Sequence, residues 1–216
     1  MRILLKAAVA AVLSFMTIAH AMAEDAPLAR VGSSFTFGVT ADSGNGEEVW
    51  TRLPDKEFRG QRAVQIQSIR TNTDGETLRL TLFHDPATGS WMAATYGDLV
   101  VDEAFPHNGQ FKVPLEVGAT WTQSHRREQG PFFADKYNVT GTWAVEALED
   151  VATPAGTFSA FRVHGVMKLP DGRVLEENTL WISTTLGMMV KSEIDRKIHF
   201  KVPGRTAYLL KSYQLQ

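Results

Sequence analysis

Hydrophobic and polar residues alternate with a period of two along much of the chain. Between residues 78 and 83, three leucines fall on one face of an extended strand, and Arg79, Thr81 and Phe83 fall on the other. The longer segment from Tyr137 to Ala147 repeats the pattern, with Trp143 among its apolar positions. Alternation of this kind is typical of strands that bury one face. The sequence therefore predicts a protein built from β-sheet.

Turn-forming dipeptides separate the alternating segments. Asn-Gly or Asp-Gly occurs at 45–46, 74–75, 108–109 and 171–172, and Pro-Gly occurs at 203–204. These dipeptides favour tight reversals of the chain. The strands predicted between them are 32–40, 47–53, 61–72, 76–84, 90–96, 119–128, 134–150, 157–168, 173–183, 187–199 and 205–214. Because no helix-length connection separates these segments, we expect antiparallel neighbours in a meander.

Several short motifs occur twice, in the same order and at a slowly drifting spacing. The pairs are Val31-Gly32 with Val117-Gly118, Ala63 to Ile66 with Ala160 to Val163, Asp74-Gly75 with Asp171-Gly172, Thr81-Leu82-Phe83 with Thr179-Leu180-Trp181, and Gly89 with Gly187. Such self-similarity is typical of a duplicated structural unit whose loops have diverged in length.

These patterns together predict an all-β fold. We expect an antiparallel meander of about ten strands from an internal duplication, curled into an open or half barrel. The sheet should curl because a single sheet of about ten strands rarely stays flat. We expect one β domain over 24–216, with repeat one at about 31–102, a connector at 103–116 and repeat two at about 117–214.

The first 23 residues have the features of a secretory signal peptide. Arg2 and Lys6 flank an apolar run that ends near Ile18, and Ala21-Met22-Ala23 is a small-x-small cleavage signature. We therefore expect an exported protein that begins at Glu24, in the periplasm of a Gram-negative cell or secreted. Since no later stretch resembles a transmembrane helix, we expect no integral membrane insertion.

Composition and motifs exclude several kinds of site. The chain has no cysteine, which rules out thiolate chemistry, and its formal net charge of −2 comes without a basic stripe, so we expect no nucleic acid partner. The histidine spacings match no zinc pattern, and no GxSxG nucleophile motif occurs. We therefore predict no metal site, no cofactor, no catalytic residue and no enzymatic activity.

Large aromatic and methionine side chains recur at corresponding places in the two repeats. They fill the core between curled layers, or they line a cavity for an acyl chain or another apolar ligand. The candidate cavity-lining residues are Trp50, Phe83, Trp121, Trp143, Phe161, Met167, Trp181, Met188 and Met189.

The second repeat resembles a family of exported bacterial proteins. The resemblance covers about the last 100 residues and depends on Pro114-Leu115, Val117-Gly118, Trp121, Val145, Glu149-Asp150-Val151, the segment from Thr153 to Phe158, Val163, Thr179-Leu180-Trp181, Leu186-Gly187 and the segment from Val190 to Glu193. These motifs are similar to the domain of unknown function 3108 type and its relatives. The resemblance implies a secreted or periplasmic β-rich protein, similar in fold to periplasmic lipoprotein carriers whose half-barrel holds acyl chains. It implies no catalytic residues.

We therefore expect a non-catalytic protein that binds a lipid or another apolar or amphipathic small molecule on its concave face. One alternative is a fully packed envelope module that contacts an envelope protein through a strand edge or its loops. A second alternative is a carbohydrate-binding β-sandwich, which requires two or more exposed tryptophans in a row. The state of the interior, hollow or packed, distinguishes the ligand-binding protein from the packed envelope module.

Overall fold

The alternating segments form twelve β-strands in the computed structural model, which describes residues 29–107, 111–130, 135–198 and 204–216. The strands are β1 (Ser34–Ala41), β2 (Gly46–Phe58), β3 (Gln61–Asn72), β4 (Thr77–His84), β5 (Trp91–Tyr96), β6 (Leu99–Phe105), β7 (Thr120–Gln129), β8 (Asp135–Thr153), β9 (Gly156–Lys168), β10 (Val174–Ser183), β11 (Met188–Arg196) and β12 (Gly204–Gln214). The predicted signal peptide at 1–23, its cleavage site and the Asn108-Gly109 turn lie outside the described residues.

Every strand pairs antiparallel with its neighbours in sequence, and β1 also pairs with β12, so that the sheet closes into a barrel. The predicted all-β antiparallel meander is confirmed. The sheet is closed rather than open, because β1 and β12 pair from Ser34 with Gln214 to Ala41 with Thr206. Closure leaves neither strand as an unprotected edge.

Strand β6 is the element that the sequence pattern missed. The predicted connector at 103–116 begins inside this strand, and the observed connection between β6 and β7 runs from residue 106 to residue 119. The alternation is obscured because Asp102 occupies a partly buried position, where it forms an ion pair with Arg127 of β7 at 2.9 Å. A charged pair between neighbouring strands replaces the apolar residue that the pattern requires.

The two predicted repeats contain six strands each, β1–β6 and β7–β12. Their corresponding turns have the same hydrogen bonds: Gly75 N–H donates to Asn72 O and Gly172 N–H donates to Leu169 O, both at 2.9 Å. Both glycines have positive φ, 88° and 86°, which a side chain would strain. The matching turns agree with the predicted duplication, which stays a prediction.

Two hairpins are longer than their neighbours, and their tips cover the outside of the next hairpin. At the tip of the β2–β3 hairpin, Phe58 stacks on Phe83 of β4 with the ring centroids 4.5 Å apart. At the tip of the β8–β9 hairpin, Phe158 is buried in one cluster with Trp181 of β10. Each tip therefore buries a large ring on the face of the sheet that is turned away from the interior.

Candidate functional site

A large cavity of about 830 Å³ occupies the barrel interior. Most of its wall consists of apolar side chains that alternate along the strands, among them Ile66 on β3, Leu82 on β4, and Leu180 and Ile182 on β10. Small-molecule sites in proteins have volumes of roughly 300–1,000 Å³ and mostly apolar walls. The cavity therefore has the size and surface of a site for an apolar ligand.

The connections at one end of the barrel bound the large cavity. The β4–β5 loop contributes residues 86–89, and the β10–β11 turn contributes Thr184 and Gly187. The β6–β7 connection contributes Phe111 and residues 113–115, and Phe111 N–H donates to Ser90 Oγ at 2.9 Å. Since this long connection supplies apolar residues to the wall, it is part of the cavity as well as a link between the halves.

A small cavity of about 210 Å³ lies next to the large one and has a more polar wall. Gln123, His125 and Arg127 of β7 line it, together with Glu176 and Arg196. Trp91 and Ile194 line both cavities and so form the wall between them. The interior therefore changes from apolar to polar along the barrel.

Charged pairs compensate the buried charges of the small cavity. Arg127 donates to both carboxylate oxygens of Asp102 at 3.1 and 2.9 Å, and Arg196 lies 3.3 Å from Glu176. Burial disfavours the charge of Arg127, but the carboxylate of Asp102 outweighs this effect and raises the pKa of Arg127. Burial, with a smaller effect from Arg127, lowers the pKa of His125 to about 4, so its imidazole is neutral at neutral pH.

Two basic side chains, Arg52 and His84, line the large cavity. Arg52 is 9% exposed, and its terminal nitrogens donate to Asp55 and to the carbonyl of Leu53. Asp55 also accepts from Arg62 Nε at 2.6 Å. Burial raises the pKa of Asp55, but the hydrogen bonds from the two arginines outweigh it, so this pKa lies below its usual value.

His84 is held by the β4–β5 loop. Its Nδ1 lies 3.1 Å from the carbonyl oxygen of Gly89, which can only accept, so Nδ1 carries the proton in this bond. Burial, and to a smaller extent the charge of Arg52, lowers the pKa of His84 despite the bond to Gly89. In the neutral ring that results, Nε2 has a lone pair and is a hydrogen-bond acceptor.

A buried carboxylate organises another part of the interior. Glu48 Oε1 accepts from Trp50 Nε1 at 2.6 Å and from Ser68 Oγ at 2.7 Å. Burial, followed by the negative charge of Glu48, raises the pKa of Tyr208 to about 12. Trp50 and Tyr208 both line the large cavity, so these hydrogen bonds fix the position of an aromatic part of its wall.

The structure divides the predicted cavity-lining residues into several groups. Trp50, Phe161, Met188 and Met189 line the large cavity, and Met167 lines the small one. Whether any of these residues contacts a ligand stays a prediction.

Trp121 and Trp143 lie in the core beside the large cavity. Their rings stack with centroids 6.3 Å apart, in a cluster that includes Phe161 and Leu180 of the cavity wall. Trp143 crosses Gly165 so closely that a Cβ there would lie 2.2 Å from its ring. These tryptophans support the wall, and neither is among the residues that line the two cavities.

Phe83 and Trp181 lie on the opposite face of the sheet from the cavity. Their neighbours Leu82 and Ile182 line the large cavity, and alternation turns the two aromatic rings away from it. Both rings are buried under the tips of the long hairpins, and Trp181 Nε1 donates to Glu149 at 2.8 Å. Phe83 and Trp181 are therefore not among the residues that line the two cavities, and their contact with a ligand stays a prediction.

Several cavity residues were not predicted. Leu82, Leu180 and Ile182 follow the alternation and could have been found from it. The residues beside the two leucines, Thr81, Phe83, Thr179 and Trp181, do not line the cavity. Arg52 and His84 gave no such signal, because a charged or polar residue in a strand usually faces solvent.

The described residues include no group of three or more His, Asp or Glu side chains placed to hold a metal ion. Within the same ranges, no helix is long and apolar enough to cross a membrane. All five tryptophans are described, and none of them is exposed.

Comparison with solved structures finds proteins of similar fold but low sequence identity. A Bacteroides fragilis protein assigned as exported, with a YmcC-like fold, is 14% identical; the match covers 87% of this chain and 97% of that one, with a TM-score of 0.50. A protein of Parabacteroides distasonis assigned as a lipoprotein is 12% identical, with coverage of 88% and 98% and a TM-score of 0.49. The hypothetical lipoprotein YmcC of Escherichia coli is 13% identical, with coverage of 84% and 85% and a TM-score of 0.41.

No protein-family model matches the chain, and no curated protein matches it. The predicted relation to the domain of unknown function 3108 type therefore stays a prediction. At 14% identity, the likeness to the Bacteroides fragilis protein shows a common fold and nothing further.

Proposed function

We propose that this protein is an exported, non-catalytic binding protein that holds an apolar or amphipathic molecule, such as a lipid, in the large cavity. The observation that carries the proposal is an interior space of about 830 Å³ with a mostly apolar wall. Protein interiors are normally packed to the density of organic crystals, and few voids exceed a water molecule. A space of this size therefore favours a ligand over a packed core.

The alternatives fit the interior less well. A fully packed envelope module leaves no space for a ligand, which disagrees with the large cavity. A carbohydrate-binding sandwich needs a row of exposed tryptophans, whereas all five tryptophans here are buried or half-buried. Export agrees with the predicted signal peptide, with the family resemblance and with the assignment of the Bacteroides fragilis protein as exported.

Binding of a fluorescent fatty acid to the delipidated protein tests the proposal. We expect saturable binding at one site, displaced by unlabelled lipid, and native mass spectrometry of protein from its own host should show a co-purifying lipid. Leu180→Trp adds a large ring at a cavity-lining position and should weaken binding about tenfold or more. Leu78→Trp makes the same change at a 48% exposed position that lines neither cavity, and should bind as the wild type does. Absence of both probe binding and co-purified lipid would reject the proposal.

A further inference from the structure

Two residues of the cavity wall, Arg52 and His84, have apolar counterparts in the other half of the barrel. Gly32 N–H donates to Arg52 O and Arg52 N–H donates to Ser33 O, at 2.8 and 2.9 Å. In the second half, Val145 makes the same two bonds with Gly118 and Ala119, also at 2.8 and 2.9 Å. Arg52 therefore occupies the position that Val145 occupies in the other half.

His84 has an apolar counterpart in the same way. It follows Thr81-Leu82-Phe83, and Ile182 follows Thr179-Leu180-Trp181. Both His84 and Ile182 line the large cavity. Since the second half has valine and isoleucine at the corresponding positions, the barrel does not need a basic residue at either position in order to fold. Burial of polar groups is costly, so a role outside packing is the better explanation for both.

Each of these side chains has one polar atom without a hydrogen-bond partner among the described residues. Arg52 donates through both terminal nitrogens, but its buried Nε has no acceptor. His84 donates from Nδ1 to Gly89, but its buried Nε2 has no donor. Buried polar atoms are usually paired, and an unpaired one costs about 1–3 kcal/mol. Arg52 and His84 therefore have one unmet donor and one unmet acceptor between them.

The local charge is positive. Arg52 and Arg62 share the single carboxylate of Asp55, so this group of three residues has a net charge of about +1. Arg62 is exposed and does not line the cavity, whereas Arg52 does. A ligand group that accepts a hydrogen bond and carries negative charge is therefore favoured beside Arg52.

We propose that Arg52 and His84 bind the carboxyl group of a long-chain carboxylic acid whose alkyl chain fills the apolar part of the large cavity. One carboxyl oxygen accepts from Arg52 Nε–H, and the acidic proton lies between the other oxygen and His84 Nε2. No covalent bond changes, and the proton is shared between ligand and imidazole. This inference depends on the proposed function, because it names the polar end of the ligand held in that cavity.

Calorimetric titration of the delipidated full chain with palmitic acid, methyl palmitate and hexadecanol tests the inference. We expect the acid to bind at least about tenfold more tightly than the ester, since a hydrogen bond to a charged group contributes about 1.5–3 kcal/mol. Arg52→Val and His84→Ile introduce residue types that fit the corresponding positions of the other half. Each should weaken acid binding about tenfold and leave ester binding unchanged. Arg62→Val removes a cation from the same group outside the cavity, and should keep the preference for the acid.

The possible outcomes separate this inference from the proposed function. Equal binding of acid and ester by the wild type, or equal loss of both in the variants, overturns the carboxyl site but leaves the cavity as a lipid site. Hexadecanol binding as tightly as the acid assigns Arg52 and His84 to a hydroxyl and also overturns it. If none of the three molecules binds, the proposed function itself is wrong. Circular dichroism checks that each variant is folded, and the three-ligand comparison on the wild type decides the question if a variant is not.

Discussion

The buried side chain of His125 makes the free energy of unfolding depend on pH. Its folded pKa of about 4 lies below the ordinary value of 6.5, because burial and the charge of Arg127 disfavour the imidazolium. As pH falls below 6.5 the unfolded chain takes up a proton that the folded protein does not. His125 therefore adds no pH dependence to the free energy of unfolding above pH 6.5. Between pH 6.5 and 4 its titration lowers that free energy by at most ~3 kcal/mol.

His125→Gln should remove this part of the pH dependence. Urea denaturation at several pH values measures the free energy of unfolding of both proteins. At pH 8 the histidine is neutral in both states, so the difference there gives the cost of the substitution alone. A wild-type decline between pH 6.5 and 4 that is no steeper than that of the variant would show that His125 is not the source.

Alternation along a strand decides which face a side chain takes. The candidates Trp50 and Phe161 are among the lining residues of the large cavity, and their contact with a ligand stays a prediction. Phe83 is also a candidate, although its neighbour Leu82 lines the cavity and alternation turns Phe83 to the opposite face. The position of Arg52 in the cavity wall could not be predicted, since the orientation of its side chain depends on its pairing with Asp55 and on the register of β2 against β1.

The tip of the β8–β9 hairpin is a packing element whose Phe158 ring lines neither cavity. Phe158 is 8% exposed, packs in the same cluster as Trp181, and lies with its ring centroid 5.9 Å from that of Tyr213. Phe158→Ala should therefore reduce the free energy of unfolding by about 3 kcal/mol or more. Since Phe158 lines neither cavity, the affinity for the fluorescent fatty acid should stay the same in the folded variant.

Leu148→Ala is the matched control, because it shortens an apolar side chain of the same hairpin that is 49% exposed. It should change stability by less than about 1 kcal/mol. Urea denaturation measures stability, and fluorescence titration measures affinity. Equal destabilisation by the two variants would show that the tip does not pack on the outside of β10. A loss of affinity in Phe158→Ala alone would connect the tip to the cavity.

Strand positions were the most predictable feature at the element scale. The predicted segment 61–72 coincides with β3, and most other bounds agree to within a few residues. The alternation and the turn dipeptides determine these strands locally. The long hairpin tips were not predicted as covers, because their packing depends on contacts such as Phe58 with Phe83 that are distant in sequence. Strand β6 was missed for the same reason, since Arg127 lies on another strand.

At the scale of the whole molecule, two seams join the halves into one barrel. Strand β6 pairs with β7 from Asp102 with Gln129 to Phe105 with Arg126, and β1 pairs with β12. The large cavity takes its wall from both halves, including Leu82 from the first and Leu180 from the second. An isolated half would have two unpaired edge strands and an uncovered apolar face.

We therefore expect that neither residues 29–116 nor residues 117–216 alone form a folded monomer. A circular permutant has the same break but should fold, because it keeps every strand beside its neighbours. It starts at residue 117, joins Gln216 to Ala29 through a short linker and ends at residue 116. The join is feasible because Gln216 N–H already donates to Ser33 Oγ at 3.1 Å.

Size-exclusion chromatography with light scattering and urea denaturation measure mass and cooperativity for all three chains. A cooperatively unfolding monomer from either half would show that each repeat is complete in itself, whereas failure of the permutant alone would show that the β6–β7 connection must be continuous for the barrel to close.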